Sequence, residues 1–251
     1  MFTQLNWPKN LIIKKFEQLD STNDEAKRLA LRDSNNYLII AETQTKGRGR
    51  SGKAWVSESG NLYFSLLLKE NYPLAYLNAF PSIVSLSIAD ALYSCGIEEQ
   101  KIKLKWPNDI LINAKKIAGI LLESKINSVN NSFDYLIIGC GVNIVTHPQI
   151  VNYQTTSFYD EQNQIINKDL LLDILLKIIY KYINCFEKNG LQEIISLWRQ
   201  KEWGIGNKVS LSLKDKELKG VYKGVNADGK AEIENEKGEL FTINSGEIFF
   251  N

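Results

Sequence analysis

The sequence predicts an α+β fold: a mixed-sheet domain over residues 1–205, then a small C-terminal β-barrel over 206–251. Three observations carry this. Strand patterns follow one another between Ile102 and Val142 without intervening helices, so the order is not that of an alternating parallel sheet. Two amphipathic helices then close the larger part. Beyond Trp203-Gly204-Ile205-Gly206 only short strands remain, parted by turn signals such as Asn226-Ala227-Asp228-Gly229.

Taken in order, Ile12 to Leu19 alternates as a strand. Asp20-Ser21-Thr22-Asn23-Asp24-Glu25 opens a helix, because Thr22 and Glu25 fit a capping box and Ala26, Leu29 and Ala30 form an apolar stripe. Tyr37 to Glu42 is a buried-type strand, and Asn61 to Leu68 is another. Leu77 to Cys95 reads as a mostly apolar helix ending at Gly96, with Pro81 tolerable only in its first turn. Strands follow at Ile102–Trp106, Ile110–Asn113, Lys116–Ser124 and Asp134–Val142, the first two joined by the turn Pro107-Asn108-Asp109. Leu170 to Lys188 is an amphipathic helix closed by Gly190, and Leu191 to Gln200 is a second. The terminal strands are Val209–Leu213, Glu217–Val225, Ala231–Glu234, Glu239–Ile243 and Glu247–Phe250.

Composition narrows the function. A net charge of +1 gives no reason to expect DNA or another polyanion, since nucleic-acid binders carry a basic domain or stripe. No apolar run approaches the ~18 residues of a membrane span, and residues 1–20 lack the features of a signal peptide. Cys95, Cys140 and Cys185 lie far apart with no Cys-x-x-Cys, which fits buried thiols and a cytoplasmic protein. His147 is the only histidine, so neither a multi-histidine metal site nor a Ser-His-Asp hydrolase is expected.

The most informative segment runs from Thr43 to Trp55. It sets Lys46, Arg48, Arg50 and Lys53 among Gly47, Gly49 and Gly52 and ends on an indole. Glycines let backbone approach a ligand closely, arginines offer planar forks for phosphate or carboxylate, and a tryptophan face can stack on a purine. The combination reads as a flexible cationic lid over an anion. Gly47-Arg48-Gly49-Arg50-Ser51-Gly52 formally matches the dinucleotide fingerprint, but no helix follows it, so that reading is rejected. Lys105-Trp106-Pro107-Asn108-Asp109 contains an ordinary β-turn in its last three residues, which leaves Lys105 and Trp106 unexplained. Lys116 starts the next strand and taken alone reads as solvent-exposed. In Gly139-Cys140-Gly141-Val142-Asn143 two glycines share one strand face, which suits either close approach by a ligand or backbone, or a bulge.

Together these motifs resemble the biotin protein ligases. The resemblance rests on Ser21-Thr22-Asn23, Gln44, Gly47-Arg48-Gly49-Arg50 through Trp55, Lys105-Trp106-Pro107-Asn108-Asp109, Lys116-Ile117-Ala118-Gly119 and Gly139-x-Gly141-x-Asn143, in that order, and extends from about residue 12 to the C-terminus. It implies the mixed-sheet catalytic domain of the biotin/lipoate ligase type with an SH3-like C-terminal barrel. It implies a reaction in which ATP and biotin give biotinyl-5′-AMP, whose acyl group passes to a lysine of the biotin carboxyl carrier protein of acetyl-CoA carboxylase. By position, Ser21, Thr22, Asn23, Gln44, Gly47, Arg48, Lys116 and Gly119 are expected around biotin. Arg50, Lys53, Trp55, Asn108 and Asn143 are expected around the nucleotide, and Lys116, Arg50 and Asp109 at the reacting centre. ATP and Mg²⁺ are the implied cofactors, with no metal ligand assigned. Only eleven residues precede the first catalytic strand, too few for the DNA-binding domain of some members, so ligation without repression is expected. A homodimer formed through a sheet edge is compatible with the pattern. Lipoate ligases carry an Arg-Arg-x-Ser-Gly-Gly-Gly type loop, which is absent here. A sensor that binds biotin without turnover would not need Lys116, Arg50 and Asp109.

Overall fold

The computed structural model describes residues 8–69, 72–127, 129–149, 153–212 and 217–250. Seven strands form one sheet: β1 (Leu11–Leu19), β2 (Asn36–Gln44), β3 (Leu62–Leu68), β4 (Ile102–Lys105), β5 (Asp109–Ile112), β6 (Lys115–Asn127) and β7 (Ser132–Val142). Their spatial order is β1-β2-β3-β7-β6-β5-β4. Only β1 and β2 run parallel, connected by helix α1 (Thr22–Ala30); the remaining pairs are antiparallel.

Strand alternation decides which layer each side chain joins. Leu38 and Ile40 of β2, Phe64 and Leu66 of β3 and Ile138 and Cys140 of β7 face the main core. There they meet α2 (Ala75–Ser94), α4 (Lys168–Asn189) and α5 (Leu191–Gln200). Their odd-numbered neighbours Tyr37, Ile39, Leu67 and Ile137 face the other way and bury Ala26, Leu29 and Ala30 of α1. Full burial of a side chain such as Phe64 contributes about 1.5–3 kcal/mol. Past the apolar stripe of α1 the odd-numbered face carries Ser65, Gly139 and Gly141, small residues over which the side chains of Thr22, Asn23 and Trp55 lie. The cleft forms there.

Four expectations change. Helix α2 begins at Ala75, two residues before the expected start, because Tyr76 joins an aromatic cluster with Tyr72 and Phe80. Pro81 therefore lies inside the helix and not in its first turn. By length and composition α2 could cross a membrane, yet most of it is buried between the sheet, α4 and α5, as a core helix is. The capping box does not form: Ser21 takes the N-cap position, and the Thr22 hydroxyl donates to Gln44 instead. A short helix, α3 (Phe158–Gln162), was not expected; its Ser157 side chain accepts from Asp160 N.

The C-terminal strands β8 (Lys208–Ser212), β9 (Glu217–Val225), β10 (Ala231–Glu234), β11 (Leu240–Ile243) and β12 (Ile248–Phe250) form an antiparallel sheet in the order β11-β10-β9-β8-β12. Its Val209, Tyr222, Val225 and Ile233 share one continuous core with Ile194, Ile195 and Trp198 of α5. Trp106, whose place in its motif the turn left unexplained, is buried at this junction and donates its indole N–H to Gly229 O at 3.1 Å.

Candidate functional site

A cleft lies on the odd-numbered face, between the start of α1, the loop after β2, the β4–β5 turn and the C-terminal sheet.

One end has a polar floor. Gln44 Oε1 accepts from Thr22 N at 2.8 Å and Thr22 Oγ1 at 3.1 Å, while Gln44 Nε2 donates to Ser57 Oγ at 2.9 Å. Ser65 Oγ lies 2.7 Å from Thr22 Oγ1 and 2.5 Å from Asn23 Oδ1. Asn23 Nδ2 donates to Glu123 Oε2 at 2.8 Å. Its carboxamide fills the space over Gly139, where an added Cβ would stand 2.1 Å from Asn23 Oδ1.

Arg48 is committed to this end. Its guanidinium forks onto Asp24 at 2.5 and 2.6 Å and reaches Glu123 at 3.2 Å. The fork holds the Asp24 carboxyl below its ordinary range and raises Arg48. Burial works to raise Glu123, but Lys27, Asn23 and Arg48 together outweigh it and leave that carboxyl lowered. Glu123 thus ties the glycine loop, α1 and β6 into one network. A charged residue at the end of the apolar run Ile117–Leu122 was its only signal in the sequence.

The glycine loop folds back on itself. Trp55 N donates to Gly47 O at 2.9 Å, Gly49 N to Lys53 O at 2.7 Å, and Arg48 bridges Ala54. This lays the Trp55 indole flat against β6 and β7. An added Cβ would stand 2.5 Å from the ring at Gly141 and 2.9 Å at Gly119. Neither reading left open for the Gly139 and Gly141 pair is realised: the register is regular there, and what approaches is not ligand or backbone but the Asn23 and Trp55 side chains. The indole Nε1 is buried without a hydrogen-bond partner.

The middle of the cleft holds Lys116, whose Nζ is 2.6 Å from Asp109 Oδ1. It is not the solvent-exposed lysine that its strand position alone suggests. Asn108 Nδ2 donates to Ile120 O at 2.6 Å, pinning the β4–β5 turn to β6.

The other end is cationic. Arg50 and Lys105 line it, and neither forms an ion pair among the described residues. Burial lowers the pKa of both, with Asp109 and Glu247 too far away to do more than partly offset it. Lys53 pairs with Glu247, which brings the C-terminal sheet to the rim.

The structure therefore brings together Ser21, Thr22, Asn23, Gln44, Arg48, Arg50, Lys53, Trp55, Asn108, Asp109, Lys116 and Gly119 around one cleft. Gly47 and Asn143 stand outside its lining. Gly47 supports the loop from behind. Asn143 is buried and spends its Nδ2 on Thr156 O at 3.0 Å. Lys105, Tyr153 and Glu247 line the cleft without having been singled out as ligand contacts. Tyr153 comes from an irregular segment that carries no recognisable spacing, and Glu247, expected as the first residue of the last strand, instead precedes β12.

No group of three His, Cys, Asp or Glu side chains suited to a metal exists among the described residues. Asp109 and Glu247 are the carboxylates of the cleft. That set fits Mg²⁺ carried on substrate phosphates, an ion usually held by one or two carboxylates and its own waters.

Fold and site define a mixed-sheet domain with a C-terminal β-sheet at the rim of one cleft, polar at one end and cationic at the other. The chain belongs to the biotin/lipoate A/B protein ligase family, whose model matches residues 15–143, and residues 204–251 match the biotin protein ligase C terminal domain. It is similar to the biotin--[acetyl-CoA-carboxylase] ligase of Paracoccus denitrificans, with 28% identity over 237 residues covering 92% of this chain and 97% of that one. It is 29% identical over 220 residues to the bifunctional ligase/repressor BirA of Escherichia coli (strain K12), covering 86% of this chain and 67% of that protein. Among solved structures, the biotin protein ligase from Aquifex aeolicus in complex with biotin and ATP superposes with a TM-score of 0.77 at 30% identity, covering 97% of this chain and 99% of that one.

Proposed function

We propose that the protein activates biotin with ATP to biotinyl-5′-AMP and pyrophosphate, then transfers the biotinyl group to one lysine of a biotin carboxyl carrier protein of acetyl-CoA carboxylase, releasing AMP. The observation that carries this is the polarity of the cleft: a polar floor at one end, the half-buried cations Arg50 and Lys105 without an ion pair among the described residues at the other, and Lys116 between them.

Ser21, Thr22, Asn23 and Gln44 would receive the ureido ring, which needs donors for one carbonyl and acceptors for two N–H groups. Arg48 shapes that end from its place on Asp24 and Glu123. Lys116 would meet the biotin carboxylate and the α-phosphate, two anions that repel until a cation stands between them. Arg50, Lys105 and Lys53 would compensate the departing pyrophosphate. Asp109 or Glu247 would help hold a Mg²⁺ ion carried on the phosphates, which would supply further charge neutralisation there. No side-chain nucleophile is required: the carboxylate attacks phosphorus, and an external lysine later attacks the acyl carbon. Asp109, freed from Lys116 once phosphate binds, is placed to guide that amine.

Incubation with ATP, Mg²⁺, biotin and a carrier domain, followed by mass spectrometry, tests this. One biotinyl group on a single carrier lysine is the expected result. Release of pyrophosphate with lipoate but not biotin would sink it. The proposed activity is ligation alone; a gel-shift titration showing salt-resistant, sequence-specific DNA binding would contradict that part.

A further inference from the structure

Lys116 is held by more than Asp109. Its N–H donates to Gln154 O at 2.9 Å, and its carbonyl accepts from Thr156 N at 2.9 Å. Residues 153–156 thus lie along the start of β6 as a short parallel strap, with Thr155 bridged to Lys116. At the head of the strap the Tyr153 ring stands 5.5 Å from Lys116 Nζ, and the Trp55 ring stands 5.3 Å away. Both residues line the cleft.

The strap is buckled from behind. His147 Nδ1 lies 2.8 Å from Thr155 Oγ1, and its Nε2 lies 3.1 Å from Asp160 Oδ2. The Thr155 hydroxyl bonds to the Pro148 carbonyl. Asp160 is fixed in turn by Ser157, whose Oγ donates to it at 2.6 Å. None of Tyr153, Thr155, His147 or Asp160 takes part in the reaction described above.

We propose that Tyr153 is a positioning residue for the chemistry at Lys116, and that His147 holds the strap that presents it. This rests on the reading of Lys116 as the cation between carboxylate and α-phosphate. A lysine ammonium on a four-carbon stem is a mobile point charge. Asp109 alone fixes it from one side, and two incoming anions compete with that carboxylate for the same charge. Two aromatic faces attract the ammonium without neutralising it. They keep it between the reacting groups when Asp109 lets go.

The test is the first half-reaction, followed as biotin-dependent pyrophosphate exchange, with biotin KM and thermal melting measured on the same samples. Tyr153→Leu is expected to lower kcat roughly 10-fold, the size of a desolvated cation–π contact, while biotin KM stays within about twofold. Tyr153→Phe, which keeps the ring, restores most of the rate. His147→Ala lowers kcat in the same direction by about threefold, and His147→Gln recovers part of that, as loss of one buckle bond predicts. Should Tyr153→Leu melt far below the parent, the two His147 variants, remote from the cleft, decide the matter. A Tyr153→Leu enzyme at the parent's kcat, a Phe variant as slow as Leu, or a loss confined to KM would overturn the proposal. A parent enzyme with no biotin-dependent exchange would instead refute the ligase reading, so the two failures are distinct.

Discussion

The two ends of the cleft solve opposite problems. At the Gln44 end nearly every polar group is already paired with another: Thr22 with Gln44, Asn23 with Glu123, and Arg48 with Asp24. At the Arg50 end Arg50 and Lys105 are half-buried with no ion pair among the described residues, Lys105 resting over the Phe250 ring. A closed network fixes shape before the ligand arrives, so it selects by fit. Charge half-buried without an ion pair costs stability until an anion arrives, so it selects by charge and holds back part of its stabilisation for the bound state. An uncharged ring with a defined pattern of donors suits the first end, and a polyphosphate suits the second.

The strongest way to break this contrast is to remove the residue that joins the ends. Lys116→Ala should lower the rate of adenylate formation by about 10²–10³, the loss typical of a preorganised charge-stabilising group, while biotin binding measured without ATP is retained. Isothermal titration and exchange kinetics on one preparation check both halves. Equal loss of biotin binding would place Lys116 in the floor and not at the junction.

Next in size is the open end alone. Arg50→Ala and Lys105→Ala should each raise the KM for ATP about 10-fold, consistent with removal of one charge-assisted contact of ~1.5–3 kcal/mol, and leave biotin affinity unchanged. The same variants should melt little lower than the parent, because neither half-buried cation has an ion pair among the described residues to lose. A matched fall in melting temperature would show that these side chains have partners in solution.

The closed end should behave in reverse. Glu123→Ala strands Asn23 and removes one partner each from Lys27 and Arg48. A loss of about 1–3 kcal/mol of stability is expected for breaking a buried charged hydrogen-bond set, with weaker biotin binding and an unchanged KM for ATP. Chemical denaturation and biotin titration read it directly.

These regions were not equally legible in the sequence. The sheet and its helices follow from periodicity: Leu38 and Ile40 against Tyr37 and Ile39 already show a strand buried on both faces. The glycine loop and the motif at Lys105–Asp109 announced a site because ordinary turn chemistry left their cations and indoles unexplained. What sequence pattern alone could not give was pairing across the chain. That Arg48 would spend its charge on Asp24 and Glu123, 24 and 75 residues away, has no local signature. Nor does the difference between Arg48 and Arg50, two residues apart in one motif, one paired and one not. Thr22 shows a different limit. Its capping-box spacing was real, but a tertiary partner, Gln44, outcompeted the local bond.

The smallest expected effect separates the ends by pH. The folded pKa of Asp24 is lowered by Arg48, so this pair's contribution is fully present above the unfolded value near 3.9 and is lost as pH falls through the folded value. The closed end therefore loosens on the acid side, and biotin affinity should decline there, less so in Asp24→Asn. Lys105 is lowered by burial, so its charge disappears at a lower pH than that of an ordinary lysine. The open end therefore fails on the alkaline side: KM for ATP should rise a few-fold between neutrality and about pH 10, and Lys105→Arg should flatten that rise because guanidinium stays charged throughout. Two pH limbs, one visible in biotin affinity and the other in the KM for ATP, are what separately built ends require. If both parameters changed together on the same limb, one titrating network would span the cleft, and the division between a prepaired end and an unpaired end would not hold.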